Sequence, residues 1–350
     1  MKKKVGIVTF HDADNLGAVL QAFSLQQILE KHCGVQAQVV DYKCPMIETT
    51  KHIQKPNSLK GLIKSVFLWG YYLIKRRGFT NFRRKKLVCS PCTYTPETIG
   101  QCGAEYDMLI TGSDQVFNPG CSGNDTTYFL DFAAPSVKKL SYAASVGTYH
   151  YKEEEAPKIA SLLQDFQGLS VREESAAAEL SRIGVEGAMV HPDPVILTSA
   201  DQWKQHMTKK LCKEKYILVY MVLPDVNVTR QAEEYAKKHG CKVISNKKSL
   251  EFIFHNSPAE FLSWIYYAEC IFTNSFHGTA FSTVFNKPLQ ADIQLLEGGI
   301  NNRVNDFLSR VNAKQCIMRK GELQVFTPNG EQALADMRQE GLQYLKAHCQ

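Results

Sequence analysis

The sequence predicts an α/β protein made of two doubly wound domains with largely parallel sheets. Apolar strand-like runs alternate with helix-period patterns along the whole chain. Its 350 residues exceed one typical core and suit two. Polar segments also recur where a strand-like run ends and a helix-like run begins, the edge at which parallel sheets hold ligands.

The first domain is expected over residues 1–195, with strands at Val5 to Phe10, Ala37 to Tyr42, Met108 to Thr111, Leu140 to Ala144, Gly168 to Val171 and Ala188 to His191. Its helices are expected at Ala18 to His32, Glu153 to Asp165 and Glu173 to Arg182. A smaller domain over 196–329 follows a short helix near Asp201 to His206. Its strands are Tyr216 to Val222, Lys242 to Ser245, Cys270 to Phe272 and Leu289 to Ile293. Helices fall at Val228 to His239, Pro258 to Ala268 and Thr279 to Phe285. The stretch Glu331 to Ala347 is helical, and residues 330–350 are expected to pack back on the first domain. Two such domains set the ends of their strands across a cleft. Residues 120–127 read as a mobile loop beside it.

Composition excludes several classes. A chain 44% hydrophobic and 22% charged is neither disordered nor fibrous, and no apolar run approaches the roughly 20 residues that span a bilayer. Val5 to Phe10 is too short for a signal-peptide core, so a cytoplasmic protein is expected. The 11 cysteines are odd in number and scattered, as suits thiols in a reducing compartment. Cys89-Ser90-Pro91-Cys92 would need two more ligands to hold zinc, and Cys102 and Cys121 lack the spacing; no metal is expected.

The net charge of +6 is local. Lys60, Lys64, Lys75, Arg76, Arg77, Arg83, Arg84, Lys85 and Lys86 lie in a segment without an acidic residue, flanking the aromatic apolar run from Val66 to Ile74. Residues 66–86 suit a helix lying on an anionic membrane surface, or a core-packed helix with a solvated basic edge. No recognition motif accompanies the charge, which argues against nucleic acid.

Asn274-Ser275-Phe276-His277-Gly278-Thr279 carries the most chemistry, because it joins a strand-like run to a helix-like run. Backbone N–H groups at such a helix start, small hydroxyls and one imidazole suit a phosphate and a proton transfer. The competing reading is a helix cap, since Asn and Ser favour N-cap positions. Three other segments share the strand-end placement: Asn15-Leu16-Gly17 with Gln21, Thr111-Gly112-Ser113-Asp114-Gln115 up to Asn118-Pro119, and Ser170-Val171-Arg172-Glu173-Glu174-Ser175.

With Asp193-Pro194-Val195 and Ser275-Phe276-His277-Gly278, this ordered set resembles the polysaccharide pyruvyl transferase family, from the first strand to about residue 310. The resemblance implies a GT-B-type pair of Rossmann-like domains facing across a cleft. It also implies transfer of the enolpyruvyl unit of phosphoenolpyruvate to two hydroxyls of a sugar. The resulting product is a cyclic ketal, and phosphate is released.

A donor with a phosphate and a carboxylate calls for a planar, permanently charged arginine; Arg172 and Arg303 are the candidates. Arg172 could equally form a strand-end salt bridge with Glu173 or Glu174, and Arg303 could lie on the surface. Asn274, Ser275, Gly278 and Thr279 join them on the donor side. His277 is the acid or the phosphate ligand. Asp114 is the base or a sugar ligand, unless it only makes a turn before Asn118-Pro119. Asn15, Gly17, Gln21 and Gln115 complete the acceptor side, with His11, Asp12 and Asp14 near the same loop. No Gly-rich phosphate loop of the P-loop or dinucleotide type is present, and the implied chemistry needs no cofactor.

The expected partners are phosphoenolpyruvate and a sugar of a surface-glycan precursor, lipid-linked at the inner membrane face, with galactose O4 and O6 the first choice by analogy. Two competitors stand beside this reading. One is a GT-B-type glycosyltransferase using a nucleotide sugar; the other is a glycan-binding protein without chemistry.

Overall fold

A computed structural model of the chain describes residues 2–50, 59–294, 301–319, 321 and 323–349, those at 59–69 by backbone alone. It divides into two compact units. Met1–His52, Arg83–Leu197 and Met337–Gln350 form the first; Ile53–Phe82 and Thr198–Asp336 form the second. Of the described residues, 59–82, which the sequence reading leaves in the N-terminal domain, go with the second unit.

The first unit begins β1 (Lys4–Val8), α1 (Leu16–His32), β2 (Gln36–Tyr42) and α2 (Pro45–Thr49). It takes the last turn of α3 (Leu59–Lys86), then β3 (Cys89–Tyr94), β4 (Met108–Thr111), α4 (Pro119–Ser122) and β5 (Lys138–Ser141). It closes with α5 (Ala156–Gln164), β6 (Ser170–Val171), α6 (Glu174–Arg182), β7 (Met189–Val190) and α7 (Pro194–Leu197). The sheet order is β3-β2-β1-β4-β5, all parallel, and single parallel bridges from Leu140 to Gly168 and from Ala144 to Val171 carry it on to β6 and β7. This is the doubly wound order, with its reversal between β1 and β4. Strand β1 is buried at Val5 through Val8, as a parallel strand covered on both faces must be.

Local features depart from the sequence reading, among them residues 120–127, expected as a mobile loop, where α4 and a short helical turn capped by Asp125 are formed. Strand β3, not anticipated, contains the Cys89-Ser90-Pro91-Cys92 run; it is an edge strand, where a proline's missing N–H is tolerated. Strand β5 ends at Ser141, three residues before the expected Ala144, because Ala143 takes a left-handed φ of 51° that no strand continues through.

The second unit runs α8 (Ala200–Lys204), β8 (Tyr216–Tyr220), α9 (Val226–His239), β9 (Lys242–Ser245), α10 (Leu250–Phe254), α11 (Pro258–Tyr267) and β10 (Ile271–Thr273). Next come α12 (Phe276–Val284), β11 (Leu289–Ala291), α13 (Asn302–Arg310) and the start of α14 (Glu331–Cys349). Its sheet, β11-β10-β8-β9, is again parallel throughout and reverses between β8 and β10. Helix α11 starts on a full capping box of Ser257 and Glu260.

Within the first unit, the end of α14 is held by Tyr344 Oη donating to the Ser141 carbonyl (3.0 Å) and Arg338 Nε donating to the Ile196 carbonyl (2.7 Å). Gly341 permits the close approach: a Cβ there would overlap the Tyr142 hydroxyl and lie 2.7 Å from Leu197 Cδ2. Gly341→Ala should therefore lower unfolding free energy by roughly 1–3 kcal/mol through overpacking, read as a lower denaturant midpoint with unchanged slope.

Candidate active site

In the second unit, only Asn274 and Ser275 separate β10 from α12, so the helix starts at the strand reversal. The first-turn N–H groups of such a helix point past the strand end, where its dipole is positive. Ser275 is the N-cap: its side chain accepts from Gly278 N at 3.2 Å, and its own N–H donates to Thr273 Oγ1 at 3.0 Å. Thr279 Oγ1 donates back to the Ser275 carbonyl at 3.0 Å. Gly278 is small for a packing reason, since a Cβ would overlap Thr273 Oγ1 and sit 3.1 Å from Tyr220. Three of the expected donor-side residues thus build the helix start, and any contact of theirs with a ligand would come through it.

Asn274 is committed to its neighbours. It accepts from Val222 N at 2.9 Å and donates to the Leu223 carbonyl at 2.8 Å, fastening the loop after β8 beside α12. His277 occupies the first turn of α12, is 8% exposed, and meets Phe276 edge-on at 5.2 Å. Phe276 also contacts Phe307 of α13 at 5.8 Å. Arg303, half-buried, lies one turn before Phe307 and so on the same face of α13. Residues 295–300, just before Asn301 and α13, lie outside the described residues.

The same strand edge adds a residue that the sequence reading passed over. Asp292 follows β11, is buried, and its N–H donates to the Thr273 carbonyl at 2.7 Å. Burial lifts its pKa above the ordinary carboxylate value, against the Gln294 N–H it accepts at 3.1 Å and with help from the charge of Asp225. The sequence reading carries this strand on to Ile293 and so places Asp292 within it, whereas β11 stops at Ala291 and leaves Asp292 at the strand end.

In the first unit the expected residues meet at the reversal between β1 and β4. Asn15 caps α1, accepting from Gly17 N (3.0 Å) and Ala18 N (3.2 Å). Gln21 is wholly buried; its Nε2 donates to Thr9 Oγ1 at 2.8 Å, and Thr9 donates on to the Ser113 carbonyl at 2.9 Å, tying β1 to β4. Gln115 accepts from Asn118 Nδ2 at 3.1 Å, over Gly147, whose φ of 65° and lack of a Cβ leave room for the pair. Asp114 has a left-handed φ of 79°, a strained conformation of the kind that clusters at functional sites.

Arg172 is the hub here. Its side chain is 2% exposed and pairs with Asp193 Oδ2 at 2.9 Å, Glu173 Oε2 at 3.4 Å and Asp114 Oδ1 at 3.9 Å. Burial opposes its charge, but Glu173, Asp193 and Asp114 together hold its pKa above the ordinary value. Ser113 Oγ donates to the same Asp193 oxygen at 2.8 Å, and Ser145 donates to Glu173. The guanidinium expected to grip the donor pairs with three carboxylates of its own unit, one of them the Glu173 of the alternative reading.

A second charged network lies on the neighbouring strand ends. His11 Nε2 is 3.1 Å from Asp41 Oδ1, while Lys43 bridges Asp41 (3.1 Å) and Asp12 (2.9 Å). Burial would raise the Asp41 pKa, yet His11, Thr93 and Lys43 hold it well below the carboxylate range. Arg83 pairs with Asp14 at 3.2 Å and donates to the Ala13 carbonyl at 3.3 Å. That corrects one part of the sequence reading: Arg83 faces the loop between β1 and α1, with its side chain 13% exposed, and is not on a lipid-facing edge.

Two parallel-sheet units, each with a polar constellation at its strand reversal, define an α/β protein of the Rossmann-like class. The chain belongs to the polysaccharide pyruvyl transferase family, whose family model matches residues 15–289. No curated protein matches the sequence.

Among solved structures, the chain is similar to the UDP-GlcNAc 2-epimerase of Neisseria meningitidis bound to UDP-GlcNAc, with 12% identity, 98% of this chain and 100% of that one covered, and a TM-score of 0.45. A putative UDP-N-acetylglucosamine 2-epimerase of Listeria monocytogenes gives 12%, 96% and 94%, with a TM-score of 0.48. An E. coli heptosyltransferase with ADP-2-deoxy-2-fluoro heptose gives 10%, 95% and 99%, with a TM-score of 0.39. Likenesses so distant say nothing about the chemistry of this chain.

Asp292 generates a test with a defined sign. Because its folded pKa is raised, the unfolded chain loses this proton first, and stability falls as pH rises from the unfolded value near about 3.9 through the folded one. Asp292→Asn keeps the oxygen that accepts from Gln294 but cannot ionise. Its melting temperature should exceed that of the wild type at pH 7 and converge with it near pH 4; a variant less stable at both would refute a strained carboxylate.

Proposed function

We propose that this family member moves the enolpyruvyl unit of phosphoenolpyruvate onto two hydroxyls of a sugar in a surface-glycan precursor, O4 and O6 of galactose, closing a pyruvyl ketal and releasing phosphate. Family membership supports pyruvyl transfer to a polysaccharide sugar. The observation that carries the finer reading is His277 on the first turn of α12, at a strand reversal, beside the positive end of the helix.

In this reading the donor phosphate lies against the start of α12, with Arg303 answering its charge from α13. The donor's C3 takes a proton, leaving C2 oxocarbenium-like, and the first sugar oxygen bonds to C2. The C2–O bond to phosphate then breaks, and the second hydroxyl closes the ring. Of the two hydroxyl protons, one makes good the proton delivered to C3 and the other leaves on phosphate. His277 is the acid or the phosphate ligand, and Asp114 is the base. Asn15, Gly17, Gln21 and Gln115 attend the acceptor. Arg172 acts here by orienting Asp114, and no metal or redox cofactor is called for.

The acceptor is lipid-linked in this reading, and α3 supplies a docking face. Phe79 and Phe82 are buried and Gly78 lies against Ser257, whereas Tyr72, Leu73, Arg76, Arg77, Arg84 and Lys85 are exposed. A rim of cations around exposed apolar side chains complements an anionic lipid surface. The side chains of Val66 to Trp69, part of the apolar run, lie outside the described residues. Among the described residues no helix is long and apolar enough to cross a membrane.

Two experiments test these readings. Phosphoenolpyruvate should raise the wild-type melting temperature and support ketal formation on a galactoside, and a response to nucleotide sugars alone would overturn the donor. His277→Ala should cut turnover on the order of 100-fold or more with the fold intact. A fall confined to kcat marks the acid, and a raised KM for phosphoenolpyruvate marks the phosphate ligand.

Replacing Arg76, Arg77, Arg84 and Lys85 with Gln should weaken binding to phosphatidylserine vesicles by about 1 kcal/mol per contact, in a salt-sensitive way. Turnover of a soluble acceptor should not change. Failure of the wild type to bind such vesicles would leave α3 as a packed helix with a solvated edge.

A further inference from the structure

Asn301 stands immediately before α13, at the N-cap position, where an asparagine ordinarily turns its side-chain oxygen onto its own helix. Here it makes no such cap. The residue is 6% exposed and its backbone is fully used: the N–H donates to the Ile293 carbonyl at 2.6 Å, and the carbonyl accepts from Val304 and Asn305 at 3.1 Å each. Its Nδ2 donates at 3.5 Å to the carbonyl of Asn274, the residue before the cap of α12. Among the described residues, its Oδ1 has no hydrogen-bond partner.

That contact, at the long limit of a hydrogen bond, is the one that orients the amide. With nitrogen and oxygen exchanged, two oxygens would oppose one another at Asn274, so the carbonyl oxygen is the atom left over. A buried acceptor without a donor is costly, and a residue that also forgoes its cap gives up a second interaction. Such atoms in native proteins call for an explanation, and this one lies beside the start of α12.

We infer that Asn301 recognises a hydroxyl of the acceptor sugar at the start of α12, an inference that rests on the reaction proposed above. An amide oxygen can only accept, so its partner must bring a hydrogen. The carboxylate of an enol phosphate brings none at neutral pH, and its phosphate, with a second pKa near about 6, brings little. A sugar hydroxyl always does. The reaction also requires one hydroxyl within bonding distance of the donor carbon, so a hydroxyl-recognising group belongs beside the donor's phosphate site. A hydroxyl that donates to Asn301 keeps its lone pairs for C2. Asn301 is thus a positioning and specificity residue and takes no proton.

The test uses the full chain, phosphoenolpyruvate, and p-nitrophenyl β-galactoside with its monodeoxy analogues. Asn301→Ala should raise the acceptor KM about tenfold or more, the loss expected when one buried hydrogen bond is removed. The phosphoenolpyruvate KM and the melting shift it induces should stay within about twofold. One monodeoxy analogue, measured by binding, should bind wild type and variant equally, because the interaction is already absent.

Asn301→Ser covers the chance that alanine unfolds the region. Serine is a good N-cap for α13 but too short to replace the amide oxygen, so it should keep stability and show the same acceptor defect. An unchanged acceptor KM in a folded variant would make Oδ1 the partner of a buried water and sink the inference. A raised phosphoenolpyruvate KM with the acceptor unaffected would assign the contact to a protonated phosphate and sink it equally. Absence of ketal formation by the wild type sinks the reaction itself, a failure visible before any variant is made.

Discussion

All the pairs among the named strands run parallel, and parallel pairing dictates where chemistry can sit in this molecule. A parallel pair cannot be closed by a tight turn, so the chain crosses over outside the sheet and all strands end on one edge. Where the order reverses, between β1 and β4 and between β8 and β10, crossovers leave toward opposite sides and the strand ends stand open. The polar segments of the sequence are delivered to these two places because the backbone has no other place to deliver them.

Each constellation is stabilised by interactions that also limit its use. Arg172 lies among three carboxylates, and removing it would take the guanidinium from their buried charges, a loss on the order of 3–5 kcal/mol. The same network holds Asp114 in its left-handed conformation, through the Ser145 N–H that donates to the Asp114 carbonyl at 2.9 Å. Inactivity of an Arg172 variant would therefore not identify a donor contact. Around α12, cap, close packing and back-bonding occupy Ser275, Gly278 and Thr279, and His277 brings an imidazole to the same first turn.

Much of this was legible beforehand. Periodicity located most of the strands, and the strand-end rule located Asn15, Asp114, Arg172 and His277, because both depend on neighbours in sequence. Asp292 lies inside the strand-like run Leu289 to Ile293, so the rule does not mark it; the strand itself stops at Ala291. Strand β3 escaped because an edge strand lies outside the core and need not show the apolar run of a buried one. Arg83 is indistinguishable in sequence from its basic neighbours, since a run of charge does not say which member turns inward.

By itself the sequence determined the α/β class, the parallel sheets and the family, all of which follow from local pattern and ordered motifs. Only the tertiary structure decided what each polar side chain faces. Arg172 meets Asp193 across 21 residues and Asn301 meets Asn274 across 27, separations at which local pattern carries no information. A cap and a ligand contact call for the same residue types. They differ only in whether the side-chain atom finds its partner within the fold, and that is settled by packing.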